Sequence, residues 1–75
     1  MPSLGMQLEQ AREDVTRVRQ RIEEQTTLIE RLKSDGHDTG PAERLLATFL
    51  DLMTKLSMHR DTLEREAEER SRSQN

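Results

Sequence analysis

The feature that most constrains this chain is an apolar stripe near its start, whose members are alternately four and three residues apart. The stripe positions are Leu4, Leu8, Ala11, Val15, Val18, Ile22, Gln25, Ile29 and Leu32. This spacing places side chains on one side of an α-helix, because the helix has about 3.6 residues per turn. The pattern therefore predicts a long helix with one apolar seam, interrupted by Gln25 alone.

The predicted first helix spans residues 6–34. Its interior contains no glycine or proline and is rich in Glu, Gln and Arg, which favour helix. Residues 1–5 are expected to form a frayed N-terminus, because Pro2 and Gly5 both resist helix formation.

A turn is predicted over residues 35–40. Gly36 can adopt the left-handed conformation that ends a helix, and Asp38 and Thr39 are residue types common in turns. Pro41 suits the first turn of the next helix, where its missing N–H is not needed. A connection this short predicts two antiparallel neighbouring helices.

The second helix is predicted over residues 41–69, followed by a polar, disordered tail at 70–75. One apolar stripe is expected to face the first helix, with Leu63 opposite Val15. Its members are Ala42, Leu45, Phe49, Leu52, Leu56, His59 and Leu63.

A second apolar stripe lies beside the first and contains Leu46, Leu50 and Met53. These side chains are expected to stay in water in a lone hairpin, and an exposed apolar patch of this kind marks an interface. We therefore predict an all-α fold in which the hairpin dimerises into a four-helix bundle. The expected dimer interface consists of Leu46, Phe49, Leu50 and Met53.

Composition excludes several classes of function. The chain has no cysteine, which rules out disulfides and thiolate metal sites, and His37 and His59 are too far apart to form a helical ligand pair. Its mixed charges sum to −3, which argues against nucleic-acid or anionic-membrane binding. No secretory signal is evident, and no apolar run approaches the roughly 20 residues of a membrane span.

The sequence also lacks a nucleophile beside a base, a glycine-rich phosphate loop and a metal motif. We therefore expect a cytoplasmic protein that is not an enzyme and uses no cofactor, metal or small-molecule substrate. The leading interpretation is a homodimeric interaction module, with an unknown protein as a possible further partner.

Two residues in the predicted seam carry sharper hypotheses. Gln25 is either partly exposed where the seam loosens or a buried polar group that fixes register, and the second interpretation is slightly favoured.

His59 is either a hydrogen-bonded histidine at the edge of the bundle or the phosphate acceptor of a phosphorelay protein. Dimeric helical hairpins of this size resemble the dimerisation and phosphotransfer domain of sensor histidine kinases. In that family an acidic residue follows the histidine, whereas Arg60 follows here.

The turn carries a third hypothesis. Asp35, His37 and Asp38 cluster there. A hairpin with an acidic tip resembles in architecture the coiled-coil arm of Gre-type transcript-cleavage factors. The resemblance implies a polymerase-binding hairpin, although two aspartates beside glycines are also ordinary turn chemistry.

Residues 15–65 resemble a family of short bacterial proteins of unknown function, which we associate with soil alphaproteobacteria. The most specific segments are Gly36-His37-Asp38-Thr39 and Leu45-Leu46-Ala47-Thr48-Phe49. The resemblance implies a helical hairpin and assigns no activity.

Overall fold

The computed structural model of the protein describes residues 2–73. This part of the chain forms two α-helices, α1 at Leu4–Ser34 and α2 at Gly40–Ser73. The helices pack side by side as an antiparallel hairpin that measures 61 × 21 × 14 Å. The predicted all-α hairpin is therefore confirmed.

The start of α1 differs from the prediction, because Leu4 and Gly5 are helical rather than frayed. Ser3 caps the helix: its Oγ accepts a hydrogen bond from the Met6 N–H at 3.2 Å. A serine cap satisfies an N–H group that otherwise has no partner in the first turn, and this offsets the cost of Gly5. Met1, also expected to fray, lies outside the described residues.

The end of α1 is a glycine-terminated cap, as the sequence predicts. Gly36 has a φ of 75°, and it is the one described residue for which a positive φ is recorded. Its N–H donates to the Lys33 carbonyl oxygen, and the His37 N–H donates to that of Leu32 at 2.9 Å. These two bonds form the Schellman arrangement that satisfies the last carbonyl groups of a helix.

The start of α2 uses the predicted turn residues. The Asp38 Oδ1 atom accepts from the Gly40 N–H at 3.0 Å, and the Thr39 carbonyl oxygen accepts from the Glu43 N–H at 2.8 Å. Pro41 lies in the first turn of α2, where no intrahelical N–H bond is required.

The far end of α2 extends beyond the predicted boundary at residue 69, and residues 70–73 are helical. The side chain of Arg72 pairs with Glu68 at 3.0 Å, one turn earlier, which helps to continue the helix. The predicted disordered tail is therefore wrong for residues 70–73, and residues 74 and 75 lie outside the described part.

The seam of α1 agrees with the sequence pattern. Its buried residues are Leu8, Ala11, Val15, Val18, Gln25 and Ile29. Leu4, Ile22 and Leu32 are half-buried at the remaining stripe positions.

The seam of α2 is rotated from the prediction by about one residue. Leu46 and Met53 are half-buried, whereas Leu45 and Leu52 are exposed. The positions that face α1 are Ala42, Leu46, Phe49, Met53, Leu56, Arg60, Leu63 and Ala67. The prediction that Leu46 and Met53 stay in water in a lone hairpin, and that His59 lies in the seam, is therefore wrong.

Polar contacts accompany this rotation. Arg60 can occupy a seam position because its aliphatic stem packs while its guanidinium bonds to Asp61 Oδ1 at 3.0 and 3.1 Å. The same rotation brings Glu64 to Arg12 and Glu43 to Lys33, with N–O distances of 3.3 and 3.9 Å.

The alignment of the two helices also differs slightly from the prediction. Leu63 packs against Leu8 and Ala11, and Val15 was the residue expected opposite it.

Candidate interaction surface

Gln25 is the one polar side chain buried in the described part of the hairpin, with 8% of its surface exposed. Its Nε2 atom donates a hydrogen bond of 2.9 Å to the carbonyl oxygen of Ala42, in the first turn of α2. No buried side-chain N or O atom among the described residues lacks a partner. The hypothesis that Gln25 is a buried polar group of the seam is confirmed.

Two long faces flank the seam, and interhelical ion pairs define one of them. Arg12 pairs with Glu64 near the open end of the hairpin, which is the end opposite the turn, and Lys33 pairs with Glu43 near the turn. Residues seven apart stay on the same side of a packed helix, so the intermediate positions can be assigned. This ion-pair face carries Arg12, Arg19, Thr26 and Lys33 from α1, and Glu43, Leu50, Ser57 and Glu64 from α2.

The opposite face is located by a shallow groove near the open end, which is lined by Asp14 and His59 among others. Steps of seven residues from these two positions lead to Arg21 and Leu28 on α1, to Asp35 directly after α1, and to Leu52 and Leu45 on α2. We call this the leucine face. Its members are Asp14, Arg21, Leu28, Asp35, Leu45, Leu52 and His59.

The leucine face carries three of the large apolar side chains that remain in water. Leu28, Leu45 and Leu52 are 41%, 45% and 41% exposed. Stepping seven residues at a time from Asp14 beside His59 places Arg21 near Leu52 and Leu28 near Leu45. The three leucines therefore lie close together, toward the turn end of the hairpin, as an unpartnered apolar patch.

Charged residues lie on both sides of Leu28 along α1. Arg21 precedes Leu28 by seven residues and Asp35 follows it by seven. Both side chains are exposed, and neither forms an ion pair with another described residue. Leu28 thus lies midway along the chain between a cation, Arg21, and a carboxylate, Asp35.

The four residues expected at the dimer interface are not presented together. Leu46, Phe49 and Met53 are half-buried in the seam against α1. Leu50 is 49% exposed, but it lies on the ion-pair face, away from Leu45 and Leu52. Contact between these four residues and a second copy stays a prediction, and the exposed leucines offer a different surface.

His59 is exposed on the leucine face rather than packed in the seam. It lines the groove with Asp14, Gln10 and Ala11. His59 is accessible to solvent in the single hairpin. The phosphorelay hypothesis requires the same access on the assembled bundle, which stays a prediction.

At the turn, Asp35, His37 and Asp38 are all exposed. The carboxylate of Asp38 is already engaged with the Gly40 N–H, so it contributes to starting α2. Across the described residues no group of three or more His, Cys, Asp or Glu side chains could hold a metal ion.

The core between the two helices is thin. The buried apolar side chains are Leu8, Ala11, Val15, Val18, Ile29 and Leu63, and no large side chain among the described residues is less than 2% exposed. Neither described helix is long and apolar enough to cross a membrane. The described residues thus leave an apolar surface uncovered, while the Gln25 amide and two ion pairs join the helices.

Sequence reasoning missed the leucine face because it assigned Leu45 and Leu52 to the seam. The available signal was Leu28, an apolar residue outside the stripe of α1, with Arg21 and Asp35 seven residues to either side.

Comparison with protein-family models, with curated protein sequences and with solved structures gives no match. The resemblance to short bacterial hairpin proteins therefore stays a prediction.

Proposed function

We propose that this chain is a non-enzymatic helical interaction module of the cytoplasm that works as a homodimer and presents its outer surface to a further protein. The observation that carries the proposal is the exposure of Leu28, Leu45 and Leu52 on one face. Covering such a patch with apolar surface removes it from water, which favours association.

The thin core supports the same proposal. Chains of this size bury a small fraction of their surface, and many need a partner to become stable. An isolated helix is marginal in water, so the stability of α1 and α2 depends on tertiary contacts. A second hairpin adds such contacts without any change in the seam.

Sedimentation equilibrium across micromolar concentrations tests the proposal. We expect a mass about twice the 8.8 kDa of one chain. The melting temperature should also rise with protein concentration, because association stabilises the folded state by mass action. A chain that stays monomeric with full helicity and a cooperative melt would contradict the proposal.

A second candidate function is phosphorelay, favoured by the exposure of His59. In that reaction an imidazole nitrogen forms a bond to the phosphorus atom of a phosphodonor. The bond between that phosphorus and the donor breaks, and the dephosphorylated donor is released. His59→Gln should keep the dimer mass and most of the stability while abolishing labelling by the phosphodonor. Acid-labile phosphate on wild type and none on the variant would favour this function over the pure interaction module.

A further inference from the structure

Resting on the proposed homodimer, we infer that the second copy docks on the leucine face in the antiparallel orientation, with Arg21 of each copy against Asp35 of the other. The turns of the two hairpins then point in opposite directions. This interface differs from the one predicted from the sequence, because it uses none of Leu46, Leu50 and Met53.

The spacing of Arg21, Leu28 and Asp35 makes the face self-complementary. Consider a two-fold axis that lies within the interface, at right angles to the helices and level with Leu28. This axis sets each α1 antiparallel to its copy. Because Arg21 and Asp35 are equally far from Leu28 along the helix, each arginine then meets the other copy's aspartate. A two-fold interface requires one patch to match itself in this way, and opposite charges fix its register.

The apolar contacts fit the same axis. Leu45 lies beside Leu28 on the neighbouring helix, so it also approaches its own copy near the axis. Leu52 lies seven residues after Leu45 on α2 and is therefore further from the turn. In the antiparallel dimer the turn region of the second copy covers it. The exposed leucines are thus removed from water together, and their flanking charges are paired.

The alternative orientation places both turns at the same end of the assembly. It would gather Asp35 and Asp38 of both copies, four carboxylates in all, without Arg21 among them. Opposed like charges destabilise an interface and select against that arrangement. The antiparallel orientation separates these carboxylates and supplies each Asp35 with a cation.

A charge exchange tests the inference, because Arg21 and Asp35 cannot reach each other within one chain. Asp35 directly follows the last residue of α1 and lies fourteen residues from Arg21, about 21 Å at 1.5 Å per residue. The dimer dissociation constant would be measured at low salt for wild type, Arg21→Asp, Asp35→Arg and the double variant. Arg19→Asp on the ion-pair face is the control, since Arg19 is also exposed.

Each single variant should raise the dissociation constant by roughly tenfold, because two symmetry-related attractions become repulsions. The double variant should return it to within about threefold of the wild-type value, and Arg19→Asp should leave it unchanged. Circular dichroism should show equal helicity throughout. A dimer that ignores both single changes, or a double variant that is not restored, would overturn the antiparallel leucine-face interface while leaving the proposed homodimer intact. A monomeric wild type would overturn both.

Discussion

At the scale of single residues, the buried amide of Gln25 forms a hydrogen bond that links the two helices. Its amide reaches the Ala42 carbonyl oxygen, a backbone atom whose position depends on where α2 begins. Sliding α2 along α1 would leave the amide buried without a partner, which is costly. The sequence indicated a polar seam residue, but its partner could not be predicted because every backbone carbonyl looks alike in a sequence.

The first prediction concerns this bond. Gln25→Ala should lower the free energy of unfolding by about 1–3 kcal/mol, because it removes a hydrogen bond and buried methylene groups. Gln20→Ala, an exposed glutamine on the same helix, should change it by less than about 0.5 kcal/mol. Urea denaturation of both variants measures the difference. Equal effects would show that Gln25 contributes nothing beyond helix propensity.

The second prediction uses two glycines with opposite roles. Gly36→Ala should destabilise the hairpin by about 1 kcal/mol, because a φ of 75° is strained for alanine although nothing lies within 4 Å of the new Cβ. Gly5→Ala should be neutral or stabilising, since Gly5 lies inside α1. Thermal melts that move in the same direction for both variants would contradict the assigned turn conformation.

At the scale of the helices, α1 was predictable and the rotation of α2 was not. In α1 almost all residues outside the apolar stripe are polar or charged. The stripe is therefore the one face of α1 that can be buried without removing charges from water. In α2, Leu45 and Leu52 on one side compete with Leu46 and Met53 on the other, and either pair completes a seam with Phe49. Periodicity within α2 does not distinguish the two pairs, because it contains no contact between helices such as Arg12–Glu64 or Lys33–Glu43.

The third prediction tests which face of α2 is buried against α1. Leu63→Ala should cost about 2–5 kcal/mol, because Leu63 is 5% exposed and packs against Leu8 and Ala11. Leu50→Ala, half exposed on the ion-pair face, should cost less than about 1 kcal/mol. Chemical denaturation at one fixed protein concentration measures both. A larger cost at Leu50 than at Leu63 would mean that the helix faces have been assigned wrongly.

At the scale of the whole molecule, the hairpin has two unlike sides. The ion-pair face is closed at each end by a charge pair between the helices. The leucine face exposes Leu28 and Leu45 together and leaves Arg21 and Asp35 without partners among the described residues. The ion-pair face thus has charge pairs within one chain and a single exposed leucine, whereas the leucine face has three exposed leucines that a second chain could cover.

The most direct test of this account is sedimentation equilibrium on wild type, Leu52→Gln and Leu50→Gln. Leu52 and Leu50 are the same residue type with similar exposure, 41% and 49%, on opposite faces of one helix. We expect Leu52→Gln to weaken the dimer by at least about tenfold, because a leucine is lost from both halves of the interface. Leu50→Gln should keep the wild-type mass. A dimer weakened by Leu50→Gln and unaffected by Leu52→Gln would contradict the account.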